Sequence, residues 1–255
     1  MLATIRSELR KILSVRSTYV IGVLALLLVG GLFSFYVEGF WGGSGSAAGV
    51  GNEFALREIV MNSFSTMSIF IAIIALLQVV HEYRHNTIMY TLTASNSRTK
   101  AFLSKVLVLL GFCVGFAIVI TIVSVSLYLL GISIRGISLP PQTIDWTNVI
   151  SRGLFYNLAY ASIGIFIAYL SRNIAAAIAI LLIFPTTVEP LLGLLLKSKA
   201  IYLPFAALEK VIMIEGSPAL VQGELSVSKA IAVSTAYLVG GGLITWALFL
   251  RRDAN

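Results

Sequence analysis

Charge is scarce in this chain. Of its 255 residues 11% are Asp, Glu, Lys or Arg, against about 25% in ordinary soluble domains, and 58% are apolar. That balance excludes a soluble globular domain, and the mean hydropathy of +0.95 agrees. Cysteine is rarer still. The single Cys113 lies within an apolar run, so no intrachain disulfide can form, and with only two histidines, His81 and His85, no Cys/His metal cluster can be assembled. Cys113 therefore reads as a small core residue. No G-x-x-x-x-G-K-[ST] segment occurs, so the chain has no phosphate loop with which to hold ATP.

What the chain does have is long apolar runs, each able to cross about 30 Å of hydrocarbon at about 1.5 Å per residue. Six are expected, at Thr18 to Val37, Ile59 to Val80, Val106 to Leu130, Arg152 to Leu170, Ile174 to Leu196 and Lys229 to Leu250. They are continuously apolar and do not alternate, which excludes barrel strands and leaves helices as the way to satisfy the backbone. The expected fold class is all-α, a single polytopic membrane domain over residues 1–255.

Lys and Arg set the expected orientation, because cytoplasmic flanks carry the excess. With both termini inside, eleven of the 18 fall on the inner side, including Arg6, Arg10, Lys11, Arg84, Arg98, Lys105 and Arg172, and seven outside. The net charge of +7 is then accounted for by anionic lipid headgroups, and no nucleic-acid partner is implied. Residues 1–17 are amphipathic. Leu2, Ile5, Leu9, Ile12 and Leu13 fall on one helical face and Arg6, Arg10 and Lys11 elsewhere, which predicts a helix lying flat at the inner interface.

The connections differ in character. Gly42 to Gly45, within a Gly/Ser/Ala-rich outer linker, spells the GGSG of a rhomboid-type serine nucleophile. Ser44 is expected on the opposite side of the membrane from both histidines, so it has no base to activate it and is read as linker. Ser171, Arg172 and Asn173 alone separate the fourth and fifth runs, which predicts a tight hairpin. Residues 197–228 are too greasy for a solvated loop and too short for a span, so short outer helices broken at Pro204, Gly216 and Pro218 are expected.

Within the runs, Gly111 and Gly115 form a GxxxG, and Ala175 to Ala177, Ala179 and Gly240 to Gly242 are similarly small, suited to close helix contacts. Glu189 is the one acid well inside a run, bracketed by Pro185 and Pro190. A charge at that depth faces a path or cavity by default, and the prolines loosen the helix. These three residues are candidates for a substrate path, the alternative being a span that ends early.

The longest polar stretch between runs is HEYRHNTIMYTLTASNSRTKAFLSK, His81 to Lys105, longer than a helix hairpin needs and too short for a domain. A short helix, a turn and an N-cap at Ser95 to Ser97 are expected before the chain re-enters the membrane. This segment resembles the cytoplasmic loop of the permease subunits of type-2 (ABC-2) ABC exporters, which reads E-Y-R-x-x-T-I and then has basic residues before the third span. The matching positions are Glu82, Tyr83, Arg84, Thr87 and Ile88, followed by Arg98 and Lys105. The family's glycine before the threonine is Asn86 here, which tolerates similar turn geometry. The amphipathic N-terminus, the six runs and the apolar insertion before the last one extend the resemblance over essentially the whole chain.

The resemblance implies that residues 81–105 form a coupling element to an ATPase. Glu82, Tyr83, Arg84, His85, Asn86, Thr87 and Arg98 would serve it. It implies no cofactor on this chain, with ATP and Mg held by a separate ABC ATPase in two copies. It also implies a second permease, identical or homologous, and a prokaryotic plasma membrane. The expected role is export of an amphipathic or hydrophobic cargo such as a peptide antibiotic, lipid or drug, with this chain not itself an enzyme. Two other classes stay open on the residues alone. A membrane-embedded enzyme would need polar groups converging at one depth, and Glu189, Gln78 and Asn157 are few for that. A scaffold or sensor subunit is the other.

Overall fold

The computed structural model describes residues 2–31, 55–90, 97–134, 136, 144–213 and 225–251; Gly42 to Gly45, Ser95, Asn96, Gly216 and Pro218 lie outside them. Among the described residues every regular element is helical. In chain order they are α1 (Leu2–Ser14), α2 (Arg16–Ala25), α3 (Ala55–Arg84), α4 (Arg98–Ile134), α5 (Trp146–Ser171), α6 (Ile174–Ile183), α7 (Glu189–Leu196), α8 (Pro204–Ile212) and α9 (Val227–Arg251). A π-helical turn, Phe184–Val188, joins α6 to α7, and a 3-10 turn, Lys197–Tyr202, follows α7. Among the described residues five helices are long and apolar enough to cross a membrane, counting α6 to the 3-10 turn as one. α1 and α2 pass the same test only when joined, and the 66° bend between them sets α1 apart from any straight span.

Helix ends follow local chemistry. Asp145 caps α5 by accepting from the backbone N–H of Asn148, and Ser97 caps α4 by accepting from that of Lys100. The predicted hairpin is present: α5 stops at Arg172, in left-handed conformation at φ 51, and Asn173 caps α6 through Ala176. Pro204 stands in the first turn of α8, where its missing N–H costs nothing. Two helices outrun their apolar cores. α4 begins at Arg98, eight residues before its greasy run, and α5 begins at Trp146, six before its own.

α3 is the axis of the bundle and packs most extensively on α5. Phe64, Met67, Ile71, Ala72, Ala75, Leu76 and Val80 are buried along it. Close approach is permitted by glycine at two points on α5. A Cβ at Gly164 would lie 2.5 Å from the carbonyl oxygen of Ala72, and one at Gly153 would collide with the Phe64 ring. Gly111 and Gly115 of α4 have nothing within 4 Å of a Cβ, so among the described residues the GxxxG makes no close helix contact. Asn157 donates to the carbonyl of Phe64 at 3.2 Å, and Gln78 donates to the Thr18 hydroxyl at 2.6 Å, tying α5 and α2 to the same axis.

Because the obstacle at Gly164 is backbone, Gly164→Ala forces α3 and α5 apart and costs about 1–3 kcal/mol. Gly111→Ala meets no obstacle and gains about 0.5–1 kcal/mol from helix propensity. Thermal unfolding of the two variants in detergent checks the contrast, and equal midpoints would contradict it.

Candidate functional site

Lys105 poses the central electrostatic problem. It lies about two turns into α4, is buried with 5% of its surface exposed, and shares the buried face of the helix with Ala101, Phe102, Val108 and Leu109. An ammonium group there requires anionic partners. Two are supplied from far along the chain. Glu82, on the last turn of α3, lies 2.5 Å from the Lys105 nitrogen, and Glu8, in the middle of α1, lies 3.2 Å away. Both carboxylates are themselves buried, so each also needs more than one cation.

Lys11 completes the set. It lies one turn beyond Glu8, reaching it at 2.6 Å and Glu82 at 2.9 Å. Two acids and two bases thus form a closed, formally neutral cage joining α1, α3 and α4. Lys11 is the exposed corner, with 38% of its side chain open. In α1, outside the spans, partial burial disfavours its charge, but the Glu8 and Glu82 carboxylates outweigh that and raise its pKa above 10.5.

An aromatic layer lies beside the cage. Tyr83 meets Tyr169 of α5 edge to face at 6.1 Å; Phe102 of α4 lies tilted at 5.2 Å from Tyr169 and 5.5 Å from Phe249 of α9. The Arg172 guanidinium sits 4.9 Å above the Tyr83 ring. Arg98 donates to the carbonyl of Leu250 at 3.1 Å, placing a cation at the negative end of α9. The ends of α1, α3, α4, α5 and α9 are in this way knitted into one plate.

From the plate projects a turn. Asn86 takes φ 53, the left-handed conformation that a glycine adopts freely and an asparagine tolerates better than most residues, as the sequence comparison required. The backbone N–H of Asn86 donates to the carbonyl of Tyr83, and the Thr87 hydroxyl reaches that of Glu82 at 3.5 Å. Ile88 is buried and pins the turn, while Arg84, His85, Asn86 and Thr87 are exposed. Of the seven residues expected at a coupling element, Glu82 and Tyr83 face the plate, Arg98 ties it to α9, and four lie at the surface. The sequence reading missed Met89 and Tyr90, exposed at 47% and 75%. Large apolar side chains at the tip of a charged turn were the available signal.

This layout has a counterpart among known proteins. The profile of the ABC-2 family transporter proteins matches residues 4–187, well over half of the sequence. The chain belongs to the ABC-2 family. It is therefore a permease, the multi-pass membrane component of an ABC transporter, and such permeases work with an ABC ATPase. Comparison with curated proteins finds no match.

The opposite end of the permease holds the expected path residues. Glu189 is buried, and its two carboxylate oxygens accept from the backbone N–H groups of Phe205 and Ala206, at 3.1 and 2.5 Å. Those are unpaired donors at the start of α8, where a negative charge is favoured. Arg152, also buried, does the converse at the other end of α8, donating to the carbonyls of Val211 at 2.6 Å and Met213 at 2.8 Å. One short helix is gripped at both poles by charges of the sign its dipole prefers. Pro185 lies in the π-helical turn, and Pro190 in the first turn of α7 beside Glu189, where the missing N–H breaks no helix.

Removing Lys105 leaves two buried carboxylates to the half-exposed Lys11, so Lys105→Met costs about 3 kcal/mol of stability. Lys11→Met costs less, about 1–2 kcal/mol, because Lys11 is the partly hydrated corner although the carboxylates it leaves are buried. Denaturation midpoints of the two variants check the order, and equal losses would show that the exposed corner of the cage matters as much as the buried one. At the far end, Arg152→Met speeds amide exchange in 204–212 about thirtyfold, equivalent to about 2 kcal/mol. Unchanged exchange there would show that α8 does not depend on its clamp.

Proposed function

We propose that this ABC-2 permease is the translocating subunit of an ATP-driven exporter, and that the turn at 84–90 receives the force of a separate ABC ATPase in the cytoplasm. The observation that carries the reading is the joining of an exposed turn to a plate that includes the ends of five helices. A push on Arg84, His85, Asn86, Thr87, Met89 or Tyr90 is not absorbed locally. Glu82 and Tyr83 transmit it to α1, α4 and α5, and Arg98 to α9. The exposed tip has the composition of a protein interface, an aromatic and a methionine beside an arginine. Glu82 and Tyr83 then act by positioning, and the contacts to the ATPase come from the surface residues.

Two ATPases and two permeases, identical or homologous, would make the working assembly, with both termini of this chain on the cytoplasmic side of a prokaryotic plasma membrane. The outward faces of α4, α7 and α9 present Leu107, Ile122, Leu194, Leu195 and Leu243. A path built against such faces suits an amphipathic or hydrophobic cargo, such as a peptide antibiotic, lipid or drug. Pro185 and Pro190 shape its outer end, where Glu189 holds α8 as a cap and does not meet cargo itself.

The double substitution Arg84→Glu with Tyr90→Ala lowers the amount of ATPase that co-purifies by about thirtyfold, the scale of a truncated hot spot. It leaves the unfolding midpoint within about 0.5 kcal/mol, since neither side chain is buried. Undiminished association would remove this turn from the docking role. ATP-dependent efflux of apolar and amphipathic compounds from vesicles carrying permease and ATPase tests the cargo class.

A further inference from the structure

α1 is held on one side and exposed on the other. Successive residues turn by about 100°, which divides its surface into sectors. Glu8 and Ile12 are buried against the bundle, and Ile5 packs on the same core. The next sector carries Leu9 and Leu13, exposed at 42% and 48%, and the one after it Arg6 and Arg10, both exposed. The five apolar residues of the amphipathic face therefore do not act together. Ile5 and Ile12 serve the protein, Leu9 and Leu13 face outward, and the side chain of Leu2 lies outside the described residues. Beyond the arginines come the exposed Ser7 and Ser14.

Core, then apolar, then guanidinium, then hydroxyl is the order that a helix meets when it lies at a bilayer surface beside a protein. α1 is bent 66° from α2, so if α2 crosses the membrane α1 runs closer to the membrane plane than to its normal. Arg6 and Arg10 stand one turn apart, so without an anion between them their like charges oppose the helix. Guanidinium groups pair with phosphate oxygens in bidentate fashion. A soluble acidic surface could satisfy the arginines, but it would leave Leu9 and Leu13 in water. A lipid satisfies both, with its phosphate and its acyl chains.

We infer that the Arg6, Leu9, Arg10 and Leu13 face of α1 binds anionic phospholipid, and that through Glu8 and Lys11 this contact governs how firmly the coupling turn is held. The second half rests on the coupling role proposed above. α1 reaches the turn through the cage, by Glu8 to Lys105 and Lys11 to Glu82. A lipid that seats α1 thereby seats Glu82, four residues before Asn86.

The test uses the full chain in nanodiscs of phosphatidylcholine alone or mixed with phosphatidylglycerol, with and without the ATPase that co-purifies with it. Amide exchange across residues 5–14 slows about tenfold or more when phosphatidylglycerol is present, the scale of two arginines at an anionic surface, and high salt reverses part of it. The double variant Arg6→Gln, Arg10→Gln abolishes the difference, and Leu9→Ser, Leu13→Ser reduces it. ATP hydrolysis by the complex rises with phosphatidylglycerol in the parent and not in the arginine variant. Exchange that is equal in both lipids, or that slows only on adding the ATPase, overturns the lipid contact. Lipid-dependent exchange with lipid-independent hydrolysis overturns the regulation. If no lipid supports ATPase stimulation, the coupling role fails, while exchange still decides the lipid contact.

Discussion

A lysine held two turns into an apolar helix cannot stay charged without carboxylates, and buried carboxylates cannot stay charged without cations. The cage of Glu8, Lys11, Glu82 and Lys105 meets both demands at once. Such a group adds little net stability against a well-packed apolar alternative, because desolvation consumes most of the attraction. Its effect is on position. Ammonium and carboxylate groups must meet within about 3–4 Å, so α1 cannot slide or rotate on α3 and α4 without stranding a charge. Apolar packing alone would tolerate such slippage.

The remaining order at that end follows. Glu82 and Tyr83 are neighbours on α3, and fixing one toward α1 and α4 turns the other toward α5, where Tyr169 and Arg172 meet it. Phe102, one turn before Lys105, is brought in the same way against Phe249. The turn at Asn86 emerges from this arrangement with its backbone conformation set and its surface side chains presented. A domain pressing on the turn meets a stiff object.

The two ends of the bundle use charge differently. At one end four side chains neutralise each other. At the other, Glu189 and Arg152 never meet and are each balanced by the backbone of α8. Between the ends, Gly153 and Gly164 let α3 and α5 approach so closely that motion at one end is not damped by loose packing along the shared axis. The family match accounts for a membrane permease; this division between a stiff plate and a separately clamped short helix is what the present chain builds on that plan.

Much of this was legible in the residues. Apolar run length marked the membrane helices, the three-residue gap after Leu170 marked the hairpin, and E-Y-R-x-x-T-I marked the turn, down to a left-handed Asn86. Those signals are local, set by helix rise, caps and allowed backbone angles. The partners were not legible. Glu82 read as a coupling residue and Glu189 as a candidate path residue because both stand in polar or strained local sequence; only packing showed Lys11 and Lys105 beside the one and the N-terminus of α8 beside the other. Periodicity tells which residues share a face of a helix, and it carries no information about which face of which other helix will lie opposite. The sequence by itself determined an all-α membrane protein and the place of its exposed turn. The tertiary structure decided which charges are buried and what they hold, because ion pairs and helix-pole contacts exist only where distant segments are brought within hydrogen-bonding distance.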